Sequence, residues 1–78
     1  MRIYDHNSKK SIESITLLLT PSEAKELADS SADLAAHPEK HHHHVHDADY
    51  AREIIVSVYT PENLSQFDAE SKRVIDAP

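Results

Sequence analysis

The chain has 78 residues and a formal net charge of −6 at pH 7, and it contains neither glycine nor cysteine. These counts exclude glycine-rich phosphate loops, disulfides and thiolate metal centres. The acidic balance disfavours nucleic acid and anionic membranes as partners, so we expect neither. The longest strongly apolar run, residues 15–19, is shorter than the roughly 20 residues that a bilayer requires. Without cysteines or an apolar leader, we expect a cytoplasmic protein.

A chain of this length predicts a single domain, residues 1–78, with a thin hydrophobic core. The first predicted element is a β-hairpin that pairs residues 2–4 with residues 12–19. Polar residues between them favour a turn, in which Asn7 is the candidate for the left-handed conformation. Ile15, Leu17 and Leu19 alternate along the second strand, so we expect them to share one face.

The clearest local signal in the chain is the start of a helix at Thr20, Pro21 and Glu23. Threonine suits the N-cap, proline the first helical position, and glutamate the position from which a capping box reaches back. We predict a helix from Pro21 to Ala36, ended by the His37–Pro38 pair. Its apolar stripe at helical spacing is Ala24, Leu27, Ala28, Ser31, Leu34 and Ala35, opposite Glu26, Asp29, Ser30 and Asp33.

The second predicted hairpin pairs a histidine-rich strand, residues 41–46, with residues 52–59. Placing Val45 opposite Ile54 gives the valine apolar neighbours and leaves a four-residue loop, residues 48–51. In that register His42, His44 and His46 leave the core and share the face of Glu53, Ile55, Ser57 and Tyr59. A slip by one residue would reverse the assignment; we favour the first register, because the slip would bury unpaired polar groups.

Phe67, Val74 and Ile75 predict a short C-terminal helix over residues 68–76. The elements together predict an α+β fold in the order β-β-α-β-β-α. We expect a four-stranded, mainly antiparallel sheet with the main helix packed on one face.

The histidine strand is the candidate functional site, because neutral imidazole is the commonest protein ligand for zinc, nickel and copper. Residues two apart on a strand project from one face, which predicts His42, His44 and His46 as metal ligands. Further ligands could complete the shell of such an ion, and the candidates are His37, Asp47, Asp49 and Glu53. Two other interpretations stay open: a polar strand that protects a sheet edge, and a hairpin that loosens on acidification.

Nothing in the sequence resembles a nucleophile turn or another catalytic motif, so we expect a protein that is not an enzyme. The first functional hypothesis is a small acidic interaction module without a cofactor, which binds another protein through its sheet face or helix. Its partner would be basic by charge complementarity. The alternative is a histidine-strand protein that binds zinc, nickel or copper. A homodimer and a monomer are both open.

Overall fold

A computed structural model describes residues 1–77 of the protein, which form two compact units. The first unit comprises residues 1–18 and the segment from Phe67 onwards, and the second comprises residues 19–66. The α+β class and the order β-β-α-β-β-α are confirmed. The elements are β1 (Ile3–Asp5), β2 (Lys10–Ile12), α1 (Pro21–Ala36), a 3-10 turn (Pro38–Lys40), β3 (His42–His46), β4 (Glu53–Ser57), a second 3-10 turn (Leu64–Gln66) and α2 (Ala69–Asp76).

The strands do not form the expected four-stranded sheet. In residues 1–77 they form two separate antiparallel pairs, β1 with β2 and β3 with β4. The predicted long strand over residues 12–19 is also wrong, because β2 ends at Ile12. Beyond it the chain is irregular, with Ile15 and Leu18 exposed. Apolar alternation favours a strand only where neighbouring strands cover it, and these residues have no strand partner in the described part of the chain.

Within the first unit, β1 and β2 form a short hairpin in which Tyr4 lies opposite Ser11. The left-handed residue of its turn is Lys9, with φ 58°, and not Asn7. The N–H of Asn7 instead donates to the Asp5 side chain over 3.0 Å, so that the chain turns back through an Asx-type contact before Lys9.

Helix α2 belongs to the same unit and is capped by Asp68, whose side chain accepts the N–H of Ser71 over 2.7 Å. Val74 of this helix is buried, as is Phe67 just before it. The Arg2 guanidinium donates to the carbonyl of Val74 over 3.2 Å, and the Tyr4 hydroxyl donates to Glu70 over 2.9 Å. These contacts tie the start of the chain to its last helix.

Helix α1 begins where the sequence predicts. Thr20 and Glu23 form the full capping box: the Glu23 N–H donates to Thr20 Oγ1 over 3.2 Å, and the Thr20 N–H donates to Glu23 Oε1 over 2.9 Å. The helix ends at Ala36, before the predicted stop.

The packed face of α1 includes only half of the predicted stripe, namely Leu27, Ser31 and Leu34. Leu34 is fully buried and Leu27 is half-buried, while the three alanines of the predicted stripe, Ala24, Ala28 and Ala35, are exposed. Two leucines seven residues apart bury more apolar area than the alanines do, so they fix which side of the helix turns inward. Ser30 and Asp33, predicted to be solvated, are consequently half-buried.

The β3–β4 hairpin has the favoured register, with Val45 opposite Ile54 and His44 opposite Ile55. Beyond the strands, the Asp47 N–H donates to the Arg52 carbonyl over 3.2 Å, so the loop comprises residues 48–51 as predicted. Val45 is only 3% exposed, and α1 contacts both strands. The helix therefore covers one face of the hairpin and leaves the other face open within this unit.

Among residues 1–77, the helices are too short and too polar for any of them to cross a bilayer.

Candidate metal centre

The candidate site lies on the face of the β3–β4 hairpin opposite α1. Because strand residues alternate between faces, Val45 and His43 point towards the helix, where His43 Nε2 lies 2.7 Å from an Asp33 oxygen. His42, His44 and His46 then point the other way. The sequence-based orientation of these three imidazoles is therefore confirmed.

His44, His46 and Glu53 converge on this open face. Each offers a ligand atom, and these atoms all lie within 4.8 Å of one another. Glu53 Oε2 is the shared point: it lies 3.1 Å from His44 Nδ1 and 3.7 Å from His46 Nδ1. The register explains this arrangement, because Glu53 lies directly opposite His46 on the neighbouring strand and His44 follows two residues away on the same face.

Ring packing holds the two imidazoles of the cluster in place. The His44 and His46 rings stack with centroids 6.0 Å apart and an angle of 15° between their planes. Tyr50, in the loop, lies against His46 with its centroid 5.0 Å away. The side chains of His44 and Glu53 are each 43% exposed. The cluster is therefore preformed on its strands and remains open to ions from solvent.

The other predicted ligands lie outside this cluster. His37, at the end of α1, has its Nδ1 3.3 Å from Glu39. Asp47 Oδ1 accepts the N–H groups of Ala51 and Arg52 over 2.8 and 3.1 Å, and these hydrogen bonds, the Arg52 one first, hold the pKa of the Asp47 carboxyl below its ordinary value. The carboxylate is thus engaged in closing the loop.

Asp49 accepts the same Ala51 N–H over 3.4 Å. His42 shares the open face, with its ring centroid 5.1 Å from that of His44. Its Nδ1, however, lies 3.0 Å from the Nδ1 of the preceding residue, His41. His42 is therefore adjacent to the cluster without belonging to it.

Asp33, which the sequence predicts to lie on the solvated face of α1, instead contacts the hairpin. Lys40 Nζ donates to its two carboxylate oxygens over 2.9 and 3.0 Å, and His43 contacts it from β3. The hydrogen bonds from Lys40 and then from His43 hold the Asp33 pKa below its usual value. Alternation along β3 could have identified His43 as the inward histidine, but nothing in the sequence names its partner.

Asn63 is a second residue that holds the hairpin in place, and the sequence did not predict this role. It is a buried polar residue, 5% exposed. Its amide nitrogen donates to the carbonyls of Pro38 and Val58 over 3.1 and 2.9 Å, and its Oδ1 accepts the Thr60 N–H over 2.7 Å. These bonds join the segment just before β3 to the segment just after β4. The two strands that carry the cluster are therefore fastened together at their open end.

Two imidazoles and one carboxylate are a ligand set that suits zinc and related divalent ions. Three protein ligands leave a fourth coordination position for water or another ligand. No protein-family model matches the chain, and neither curated proteins nor solved structures include a significant match. The function proposed below accordingly follows from the geometry of these residues.

Proposed function

We propose that the protein binds a divalent cation, zinc foremost, through His44, His46 and Glu53. The observation that supports this proposal is the position of one carboxylate oxygen between two imidazole nitrogens, at 3.1 and 3.7 Å. Ligand atoms of a tetrahedral zinc ion lie about 3.3 to 3.5 Å apart, given metal–ligand distances of about 2.0 to 2.2 Å. The separation from His44 is slightly shorter than this range, and the separation from His46 is slightly longer.

Metal binding at this cluster requires one proton of the His44 imidazole to change its position. In the metal-free protein, a protonated Nδ1 on His44 donates to the Glu53 carboxylate; in the complex that nitrogen must present its lone pair. A neutral imidazole achieves this by moving its proton to Nε2, with no net proton release. The carboxylate that holds the imidazole in place before binding then becomes a ligand itself, so its negative charge offsets part of the ion's charge.

The direct test is a calorimetric titration of zinc into tag-free, metal-free protein near neutral pH. We expect one tight equivalent. Substitution of one ligand, His44→Ala or Glu53→Gln, should lower the affinity by at least about tenfold, since even loss of an outer hydrogen-bond partner of a metal ligand costs about 10- to 100-fold.

Glu62→Gln is the matched control, because Glu62 is exposed and lies outside the hairpin. It removes the same charge as Glu53→Gln and should leave zinc affinity unchanged. Thermal melting gives a second measurement, since zinc at about 100 times its dissociation constant stabilises the folded state by about 2.7 kcal/mol. Equal zinc binding by Glu53→Gln, Glu62→Gln and the wild type would contradict the proposal.

A second candidate function is the interaction module, and the exposed apolar side chains of the same face favour it. Ile55 is 39% exposed, and alternation along β4 places it on the side of Glu53; Tyr59, two residues beyond the strand, is 41% exposed. We propose a second copy of the chain as the occupant of this face, because an open sheet face matched against itself forms a closed two-fold interface. A basic protein partner and a cytoplasmic location stay predictions.

Sedimentation velocity tests the second candidate. The metal-free protein should show a concentration-dependent monomer–dimer equilibrium that Ile55→Glu shifts to monomer, because the substitution places two like charges across a symmetric contact. Ser22→Glu, an exposed change at the start of α1, adds the same charge away from the face and should leave the equilibrium in place. A monomer at all concentrations would refute this candidate and leave the zinc proposal standing.

A further inference from the structure

A second pair of metal-ligating atoms lies beside the proposed zinc ligands. His41 follows the 3-10 turn and His42 begins β3. Their Nδ1 atoms lie 3.0 Å apart, and their rings meet edge to face with centroids 5.2 Å apart and an interplanar angle of 83°. Neither residue belongs to the group formed by His44, His46 and Glu53.

The separation of these two nitrogens is close to the distance between two imidazole ligands of one metal ion. With metal–nitrogen distances of about 2.0 to 2.1 Å, two ligands at a right angle lie about 2.9 Å apart, and two tetrahedral ligands about 3.3 Å apart. The observed 3.0 Å is closest to the right-angled value. Square-planar or tetragonal coordination by nitrogen and oxygen ligands is the geometry that copper(II) prefers.

The backbone of His41 holds this pair together at an energetic cost. His41 has φ 78° and ψ −58°, a combination that is rare and strained for a residue with a side chain. Strained conformations of this kind cost about 1–3 kcal/mol. The hydrogen bond of the pair is worth only about 1 kcal/mol. His41 also ends the 3-10 turn, where its N–H donates to the Pro38 carbonyl over 3.1 Å, so the turn and the imidazole pair together hold His41 beside His42.

We propose that His41 and His42 form a separate copper(II) site, with water in the remaining coordination positions. In the metal-free protein the Nδ1 of one ring carries the proton of the hydrogen bond and the Nδ1 of the other ring accepts it. When copper binds, that proton moves to Nε2 of the same ring, and both Nδ1 atoms bind the ion. The open face would then hold two cations side by side, because the His42 and His44 rings are adjacent. The two sites share no ligand, so either can exist without the other.

Copper(II) titration of the tag-free, metal-free protein, followed by electron paramagnetic resonance, tests this proposal. We expect two equivalents in the wild type. The key variant is His41→Gly, which removes one imidazole and suits the left-handed backbone at least as well as histidine does. It should bind one equivalent, with the second weakened by at least about tenfold.

Two further variants assign each equivalent. The triple variant His44→Ala, His46→Ala and Glu53→Gln should keep the His41–His42 equivalent and lose the other, so a failure of the zinc ligands and a failure of this pair give different results. His6→Ala is the matched control, since it removes an exposed histidine from the first hairpin; it should bind two equivalents. Two equivalents in His41→Gly, or loss of the second equivalent in His6→Ala as well, would overturn the assignment.

Discussion

Replacing Asn63 with alanine removes three hydrogen bonds from a side chain that is only 5% exposed. The lost bonds are those with the Thr60 N–H and with the carbonyls of Pro38 and Val58. Each is worth about 1 kcal/mol, and the groups left behind are partly shielded from water. We therefore expect the free energy of unfolding to fall by about 3 kcal/mol. A chain of 78 residues has a total stability of about 4 to 12 kcal/mol, so the variant should be severely destabilised.

Asn63→Asp separates hydrogen bonding from volume. The aspartate side chain has nearly the same shape and can still accept the Thr60 N–H, but at neutral pH it directs a carboxylate oxygen at two carbonyl oxygens in place of an NH₂ group. We expect it to be at least as unstable as Asn63→Ala, because a buried charge that keeps one donor and faces two carbonyl oxygens costs more than a missing side chain.

Urea unfolding followed by circular dichroism measures both variants, and Asn7→Ala is the control. Asn7 is exposed, and the N–H that it donates to Asp5 persists in alanine, so its change should stay within about 0.5 kcal/mol. A loss below about 1 kcal/mol in Asn63→Ala, or an Asn63→Asp variant more stable than Asn63→Ala, would refute the reasoning.

Three further predictions concern the core, an ion pair and a turn. Leu34→Ala should cost about 3 kcal/mol in urea unfolding, because the side chain is fully buried; a loss below about 1 kcal/mol would contradict its place in the core. The folded-state pKa of Asp33 is lowered from 3.8, so its ion pair stabilises the protein above that pH, and stability falls as the pH drops further. Asp33→Asn should flatten this acid limb in pH-dependent melting, and an unchanged limb would exclude Asp33 as its source. Lys9→Gly should raise the melting temperature by a few degrees, since it relieves strain at φ 58° of about 1–2 kcal/mol against a glycine entropy cost of about 0.5–1 kcal/mol; a lower melting temperature would show that Lys9 is not strained.

Helix α1 and the register of the second hairpin could be predicted because local chemistry specifies them. The capping box at Thr20 fixes where the helix begins, and Pro38 restricts how far it can continue. Val45 is the only aliphatic residue in a run of histidines, so burying it decides which alternate residues of both strands face the helix. The same alternation predicts that His44 and Glu53 share the opposite face.

The missed features depend on contacts that no local pattern contains. Residues 12–19 alternate like a strand, yet strand formation needs a partner in space, and β2 ends at Ile12. Helical periodicity defines an arc of α1 but leaves open which side of it packs, which Leu34 decides. At the candidate site, the sequence cannot specify the side-chain rotamers that bring Glu53 Oε2 between two imidazoles. Nor does it indicate the positive φ of His41.

Leu34 is the single fully buried side chain among residues 1–77. In a protein with so small a core, ligand binding should change the melting temperature strongly. Unfolding entropy scales with chain length at about 2.1 cal/mol/K per residue. For 78 residues, each kcal/mol of stabilisation therefore moves the transition midpoint by about 6 °C. The unfolding enthalpy also scales with chain length, at about 0.7 kcal/mol per residue, so the transition of so short a chain is broad. Zinc at about 100 times its dissociation constant, which stabilises the folded state by about 2.7 kcal/mol, should thus raise the midpoint by about 16 °C.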